Sequence, residues 1–336
     1  MMKNKYYTTI VFVLVLLLLS TTGLIFFRIN NALNKVEQNT GIIVPDQIPD
    51  YHFAMIYQDV DDSVWFSIKK GVEKAAKAFN VAVEFNSSST VNGYEMLKYL
   101  DIAVASKVDG IITYVWDEEQ ISPLIDRAVN QGIPVITIGR DVKESNRTAF
   151  IGVNTYDYGI QLGRMIVAAT RGQGEVAIVD DSDPKGEVIV QNLMILGIRD
   201  AIKQYPDIHI SSIEYNNEEF LGIEDVVNDL LQNNSKISTI VCTSEKDTTI
   251  IAERLIDLNK VGYNIIGYGD SSELLRYIEK GVVFGTVTAD LEKMGYDTIE
   301  AMVDIKQHGR TSAYFTVDTF LITKNNVSEY LNIGEE

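Results

Sequence analysis

Several kinds of chemistry are missing from this sequence. A single cysteine, Cys242, excludes an internal disulfide and any zinc site built on cysteine pairs. It lies in the apolar run ISTIVCTS and reads as a small core residue. The three histidines, His52, His209 and His308, are too far apart for metal-ligand spacing, so no metal site is expected. Basic residues are outnumbered, 29 Lys and Arg against 47 Asp and Glu, for a net charge of −18. A surface that acidic repels phosphate backbones, which argues against a nucleic acid partner. Phosphate loops are absent too. GYGDSS opens as G-x-G but has Ser272 where a third glycine is needed, and Gly172 and Gly174 of RGQGEVAIVD precede a strand rather than follow one. There is no G-x-S-x-G nucleophile turn. Carboxylates occur in so many loops that no single acid–base pair stands out for glycoside hydrolysis. The expectation is a protein without cofactor and without catalytic activity.

Long apolar runs are also scarce, with one exception. YYTTIVFVLVLLLLSTTGLIFF, residues 6–27, carries no charge. An α-helix of about 20 residues crosses about 30 Å of hydrocarbon, so this run is long enough to span. A cleaved signal peptide has a shorter apolar core and small residues at its end. Here Phe26 and Phe27 continue the run, and no cysteine follows for lipid attachment. The segment is therefore expected to stay as a signal anchor, with Lys3 and Lys5 holding the N-terminus inside and the body outside the cell. Residues 28–50 are polar, contain Pro45 and Pro49, and read as a juxtamembrane linker.

From Tyr51 onward β-rich runs alternate with helix-period runs. HFAMIYQ reads as a strand. The segment after it places Ile68, Val72, Ala75, Ala76 and Phe79 on one helical face. VAVEFNS, VDGIITYV and PVITIG continue the strands in the first half, and GEVAIVD, HISSIEY, STIVCTS and NIIGYGD those in the second. Such alternation predicts an α/β fold of two doubly wound parallel-sheet lobes. Ligands of open parallel sheets sit beyond the carboxyl ends of the strands. The loops there include QDVDDSVW, YVWDEE, GRDV and GYGDSSE, rich in carboxylates, amides and aromatics. That mixture suits sugars, whose hydroxyls take hydrogen bonds and whose C–H faces stack on rings. Asp61, Asp62, Asp117, Asp141, Asp181 and Asp270 can accept from hydroxyls, and Arg140 can donate a planar fork. Both tryptophans, Trp65 and Trp116, fall in or near these loops.

The body resembles the type I periplasmic sugar-binding proteins, the ribose- and xylose-binding-like group. The resemblance spans about residues 51–325. It is carried by DDSVWFSIKKGVEKAAK, DGIITY, AVNQGIPVITIGRD, IGVNTYDYGIQLGR, IIGYGDSSELLRYIEKG and TADLEKMGYDTIEAM. It implies three hinge crossings, with lobe 1 at 51–154 plus 290–317 and lobe 2 at 155–289 plus 318–330. It also implies ligand contacts from Asp61 or Asp62, Trp65, Tyr114, Trp116 and Arg140, with Asp141 compensating for Gly139. From lobe 2 it implies Gln191 or Asn192, Ser244 beside Glu245, and Asp270; Asp290 would contribute from the last hinge. Proteins of this group held by an N-terminal helix look like receptors. The implied role is a membrane-anchored sugar receptor, for a monosaccharide such as xylose, that closes on its ligand and signals to a membrane sensor histidine kinase. The alternatives are a solute-binding component delivering sugar to an ABC permease, and an anchored enzyme acting on glycans.

Overall fold

The computed structural model describes residues 42–43, 48–58, 62–88, 93–181, 188–215, 222–233, 236–260 and 262–331. The expected anchor at 6–27 lies outside the described residues. Among the described residues no helix is long and apolar enough to cross a membrane.

Two sheets organise the chain. The first runs in the order β1 (Ile42–Ile43), β3 (Val81–Ser88), β2 (Tyr51–Gln58), β4 (Gly110–Tyr114), β5 (Val135–Ile138), β6 (Ala149–Val153) and β12 (Tyr314–Val317). The second runs β13 (Thr319–Thr323), β11 (Gly285–Ala289), β10 (Asn264–Tyr268), β9 (Ile237–Cys242), β7 (Gly174–Asp181) and β8 (Ile208–Tyr215). The pairings are parallel except β1 with β3 and β11 with β13. Parallel strands need crossover helices, and these cover both faces of each sheet. Residues 42–43 differ from the bare linker expected there. Two isoleucines add an antiparallel strand to the outer edge of β3, whose unpaired N–H and C=O groups would otherwise face solvent.

In the first lobe, α1 (Asp62–Ala78) and α9 (Leu291–His308) cover one face, and α2 (Tyr94–Ser106) and α3 (Glu118–Asn130) the other. In the second, α4 (Thr155–Thr170) and α5 (Val188–Ile202) cover one face. The other is covered by α6 (Gly222–Asn233), α7 (Glu245–Asp257), α8 (Ser272–Lys280) and the short α10 (Val327–Leu331). The helical face read from the sequence is the buried one in α1: Ile68, Val72, Ala75 and Ala76 are all in the core. Cys242 is fully buried at the end of β9, and burial pushes its thiol well above the usual range.

Each lobe has one helix pair that meets at glycines. A Cβ on Gly71 of α1 would collide with the Glu292 carbonyl of α9, and one on Gly295 of α9 with the Ile68 carbonyl of α1. Gly159 of α4 and Gly197 of α5 repeat the arrangement against Met194 and Tyr156. In an open helix Gly→Ala gains about 1 kcal/mol. Here the sign reverses, because the obstacle is backbone. Gly295→Ala is expected to destabilise the protein by about 1–3 kcal/mol, measured by urea unfolding.

The chain passes between the sheets at three adjacent points. Asn154 follows β6 and caps α4, accepting the Asp157 N–H at 3.3 Å. Asp290 follows β11 and caps α9, accepting the Lys293 N–H at 2.8 Å. Asp318 alone separates β12 from β13. Val153 pairs with Val317 and Ala289 with Thr319, and the Asp290 N–H donates to the Asp318 carbonyl at 3.1 Å, so the crossings lie side by side.

Candidate functional site

A cavity of about 300 Å³ opens where the sheets' carboxyl ends meet. The last residues of five strands reach it: Gln58, Tyr114, Ile138 and Val153 from the first lobe, Tyr268 from the second. The start of α1 adds Val64, Trp65 and Ile68; the start of α9 adds Leu291 and Met294. Gly139, at φ 77°, completes the wall. The left-handed backbone turns the chain sharply after β5, and the absent side chain leaves that wall open.

Two rings of the first lobe, Trp65 and Tyr114, line the cavity, and a third, Tyr57, packs behind them in the core. Trp65 lies 4.6 Å from Tyr57, centroid to centroid, and meets Tyr114 edge-on at 5.9 Å. Trp65 is only 6% exposed, so its ring is fixed by the core beneath it before any ligand arrives. From the second lobe Tyr268 faces the same space, held edge-on against Tyr158 at 5.8 Å. Aromatic rings thus reach the cavity from both lobes.

The residues singled out in the sequence are distributed unevenly around it. Trp65 and Tyr114 line the cavity. Arg140 follows Gly139 directly and donates to the Trp116 carbonyl at 3.4 Å. Asp270 follows Gly269, which stands at φ 98° after β10. Ser244 caps α7, accepting the Asp247 N–H at 3.1 Å, and the adjacent Glu245 carboxylate packs against Gly269. Asn192 is exposed on α5. Asp61, the side chains of Asp62, Asp181 and Gln191, and residues 182–187 lie outside the described residues.

Two expectations need correction. Asp141 does not reach the cavity in place of a Gly139 side chain. It is buried, and both its oxygens are held by Arg147, with Nη2 to Oδ2 at 2.6 Å; the Val142 N–H adds 2.8 Å to Oδ1. Trp116 belongs to the core under α2 and α3, on the opposite face of the sheet from Trp65, because the turn after β4 folds it under Gly93. One oxygen of Asp290, Oδ1, accepts the Lys293 N–H in capping α9. Conversely, sequence reasoning passed over Tyr268. Its signal was available: it is the last residue of an apolar strand, directly before a glycine turn, in a loop already assigned to the cleft.

Asp270 is half-buried, and desolvation raises its carboxyl above the usual range, opposed only in part by the nearby Thr288 hydroxyl and its own backbone N–H. A carboxyl raised by folding contributes stability below the unfolded value of about 3.9, and that stability is lost as pH climbs through the folded value. At neutral pH the charge is therefore a cost to the fold. Asp270→Asn is expected to raise the melting temperature by about 2 °C at pH 7, with the gap closing toward pH 4. Thermal unfolding of both proteins at the two pH values checks this.

Comparison with known proteins follows the same outline. Residues 53–311 match the family model described as periplasmic binding protein domain. The D-allose-binding periplasmic protein of Escherichia coli (strain K12) is 21% identical over 290 residues, 81% of this chain and 92% of that protein. Among solved structures, GanP, a glucose-galactose binding protein from Geobacillus stearothermophilus, is 29% identical with a TM-score of 0.73, covering 82% of this chain and 98% of GanP. XylFII in the XylFII-LytSN complex is 30% identical with a TM-score of 0.71, covering 83% of this chain and 99% of the other.

Proposed function

Since the chain belongs to the periplasmic binding protein domain family, we propose that it is an extracytoplasmic receptor for a monosaccharide, bound between its lobes. The observation that carries this reading is the cavity at the strand ends, walled by Trp65 and Tyr114 on one side and Tyr268 on the other. Its size, about 300 Å³, is at the low end for small-molecule sites and suits one sugar ring rather than an oligosaccharide. Arg140 and Asp270 supply the charge-assisted hydrogen bonds to hydroxyls, with Ser244 and Glu245 beside them. Asp61, Asp62, Gln191 and Asn192 are the further contacts this reading assigns to the ligand. The protein binds without converting its ligand.

Closure is the output. The closed form is favoured only by the extra contacts a ligand makes in it, and here these are contacts from the second lobe, beginning with Tyr268. Residues 6–27 anchor the protein, and the closed lobes engage a membrane sensor kinase; tethering raises their effective concentration at that partner. The likeness to XylFII, solved as a complex with LytSN, favours a partner protein of this kind. Delivery to an ABC permease is the second reading. Neighbouring genes separate the two: a kinase and regulator, or a permease and ATPase. Thermal-shift screening of the purified protein against monosaccharides tests the shared premise. A true ligand raises the melting temperature in step with its concentration; a flat response across the whole panel defeats the reading.

A further inference from the structure

The two helix pairs that meet at glycines are alike in geometry and unlike in what they present to solvent. A Cβ on Gly71 would meet the Glu292 carbonyl and the Tyr296 nitrogen, and one on Gly197 the Tyr156 carbonyl and the Ile160 nitrogen. The two crossings therefore correspond position by position. Ser67 and Lys70 of α1 stand where α5 has Leu193 and Leu196, and Glu292 and Tyr296 of α9 where α4 has Tyr156 and Ile160. In the first lobe this outer seam carries an ion pair, with Lys70 Nζ 3.6 Å from the Glu292 carboxylate. In the second lobe it is apolar. Leu193 and Leu196 are 38% and 49% exposed, with Tyr156 and Ile160 half-buried. The core beneath is filled by other side chains, among them Leu162, Met165, Met194 and Ile198. Packing does not call for the two leucines, since the first lobe makes the same crossing with serine and lysine.

The rim of this seam is basic. Residues 155–171 and 188–203 carry Arg164, Arg171, Arg199 and Lys203, all exposed, against Asp157 and Asp200, in a chain of net charge −18. Asp200 is already engaged, accepting from Tyr156 Oη at 2.8 Å and lying 4.0 Å from Lys203 Nζ. We propose that the α4–α5 seam is a docking surface for a partner protein that presents an acidic amphipathic helix. Its apolar face would cover Leu193 and Leu196, and its carboxylates would meet the arginines. With 16 and 15 residues, α4 and α5 are each about 23 Å long, room for a partner helix of about four turns. A second copy of the chain is disfavoured, because a two-fold contact sets the same basic rim against itself. A lipid surface is disfavoured because the leucines are half covered and do not project as a wedge into acyl chains. The proposal stands on this surface alone, and sugar binding in the cleft can hold or fail without it.

Fluorescence anisotropy on the purified protein tests this with two labelled helical peptides of about four turns. Both share one leucine face; the other face carries glutamates in one and lysines in the other. The acidic peptide is expected to bind at least about tenfold tighter than the basic one, and more weakly as salt rises. Leu193→Ser with Leu196→Lys, the residues of the first lobe, should weaken it at least about tenfold. Arg164→Glu with Arg199→Glu should invert the choice of peptide. Unchanged melting temperatures show that the variants are folded; if the leucine pair melts early, the arginine pair, at the surface, decides the test. Equal binding of the two peptides, binding indifferent to the substitutions, or no binding of either overturns the proposal. So does binding to phosphatidylglycerol vesicles that the leucine variant loses, which assigns the seam to lipid. A dimer in sedimentation that the same variant loses overturns it too, and assigns the seam to a second copy.

Discussion

Arg147→Ala is expected to cost about 3–5 kcal/mol of stability, because it leaves the Asp141 carboxylate buried without its counter-charge. The two side chains are 7% and 8% exposed, so solvent cannot compensate. Burial alone would lower the Arg147 guanidinium, yet hydrogen bonding and charge from Asp141 outweigh it and hold it above its ordinary value. The fork also ties distant segments together. Arg147 lies 4.8 Å from the Tyr314 ring centroid and donates to the Ala313 carbonyl at 3.5 Å, joining the β5–β6 connection to the entry of β12. A fall of about 10 °C in melting temperature is the expected reading. Asp141→Asn combined with Arg147→Met removes both charges and should lose less than the two single changes summed. Strict additivity in a double-mutant cycle would show that the pair is not coupled.

Trp65→Ala carries the largest expected effect on binding. The indole is both a core residue, in contact with Tyr57, and the ring that faces the cavity. Truncating a buried tryptophan costs about 3–5 kcal/mol of stability. Losing an aromatic anchor at the centre of a binding site costs a further 2 kcal/mol or more in affinity, about thirtyfold. Trp65→Phe separates the two effects, since it retains a ring against Tyr57 and Tyr114 while shortening the stacking face. It should recover most of the stability and only part of the affinity. Sugar titration by calorimetry, beside denaturant unfolding of the same proteins, reads both quantities. An alanine variant that binds sugar as tightly as the parent would move the ligand away from this wall.

The two-lobed α/β fold was legible because its signals are local and repeated. HFAMIYQ and VAVEFNS become β2 and β3, and the apolar stripe of α1 becomes its buried face. The site was less legible, for a physical reason. Sequence places a residue in a loop but not on a side of it. Asp141 and Trp116 both fall within strand-end segments, yet one turns inward to a partner six residues further on, and the other drops to the far face of the sheet. A lone buried aspartate reads the same as a ligand acceptor until Arg147 is seen beside it. Tyr268 was missed for the converse reason: an aromatic closing an apolar strand resembles core until the opposite lobe is in place.

The two tryptophans provide the sharpest measurement, since one lines the cleft and the other belongs to a separate core. In Trp116→Phe the only remaining indole is Trp65, and titration with a monosaccharide that raises the melting temperature should produce a saturable change in its fluorescence. The same titration of Trp65→Phe should leave the Trp116 signal flat. A saturable response carried by Trp116 and absent from Trp65 would contradict sugar binding in the cleft.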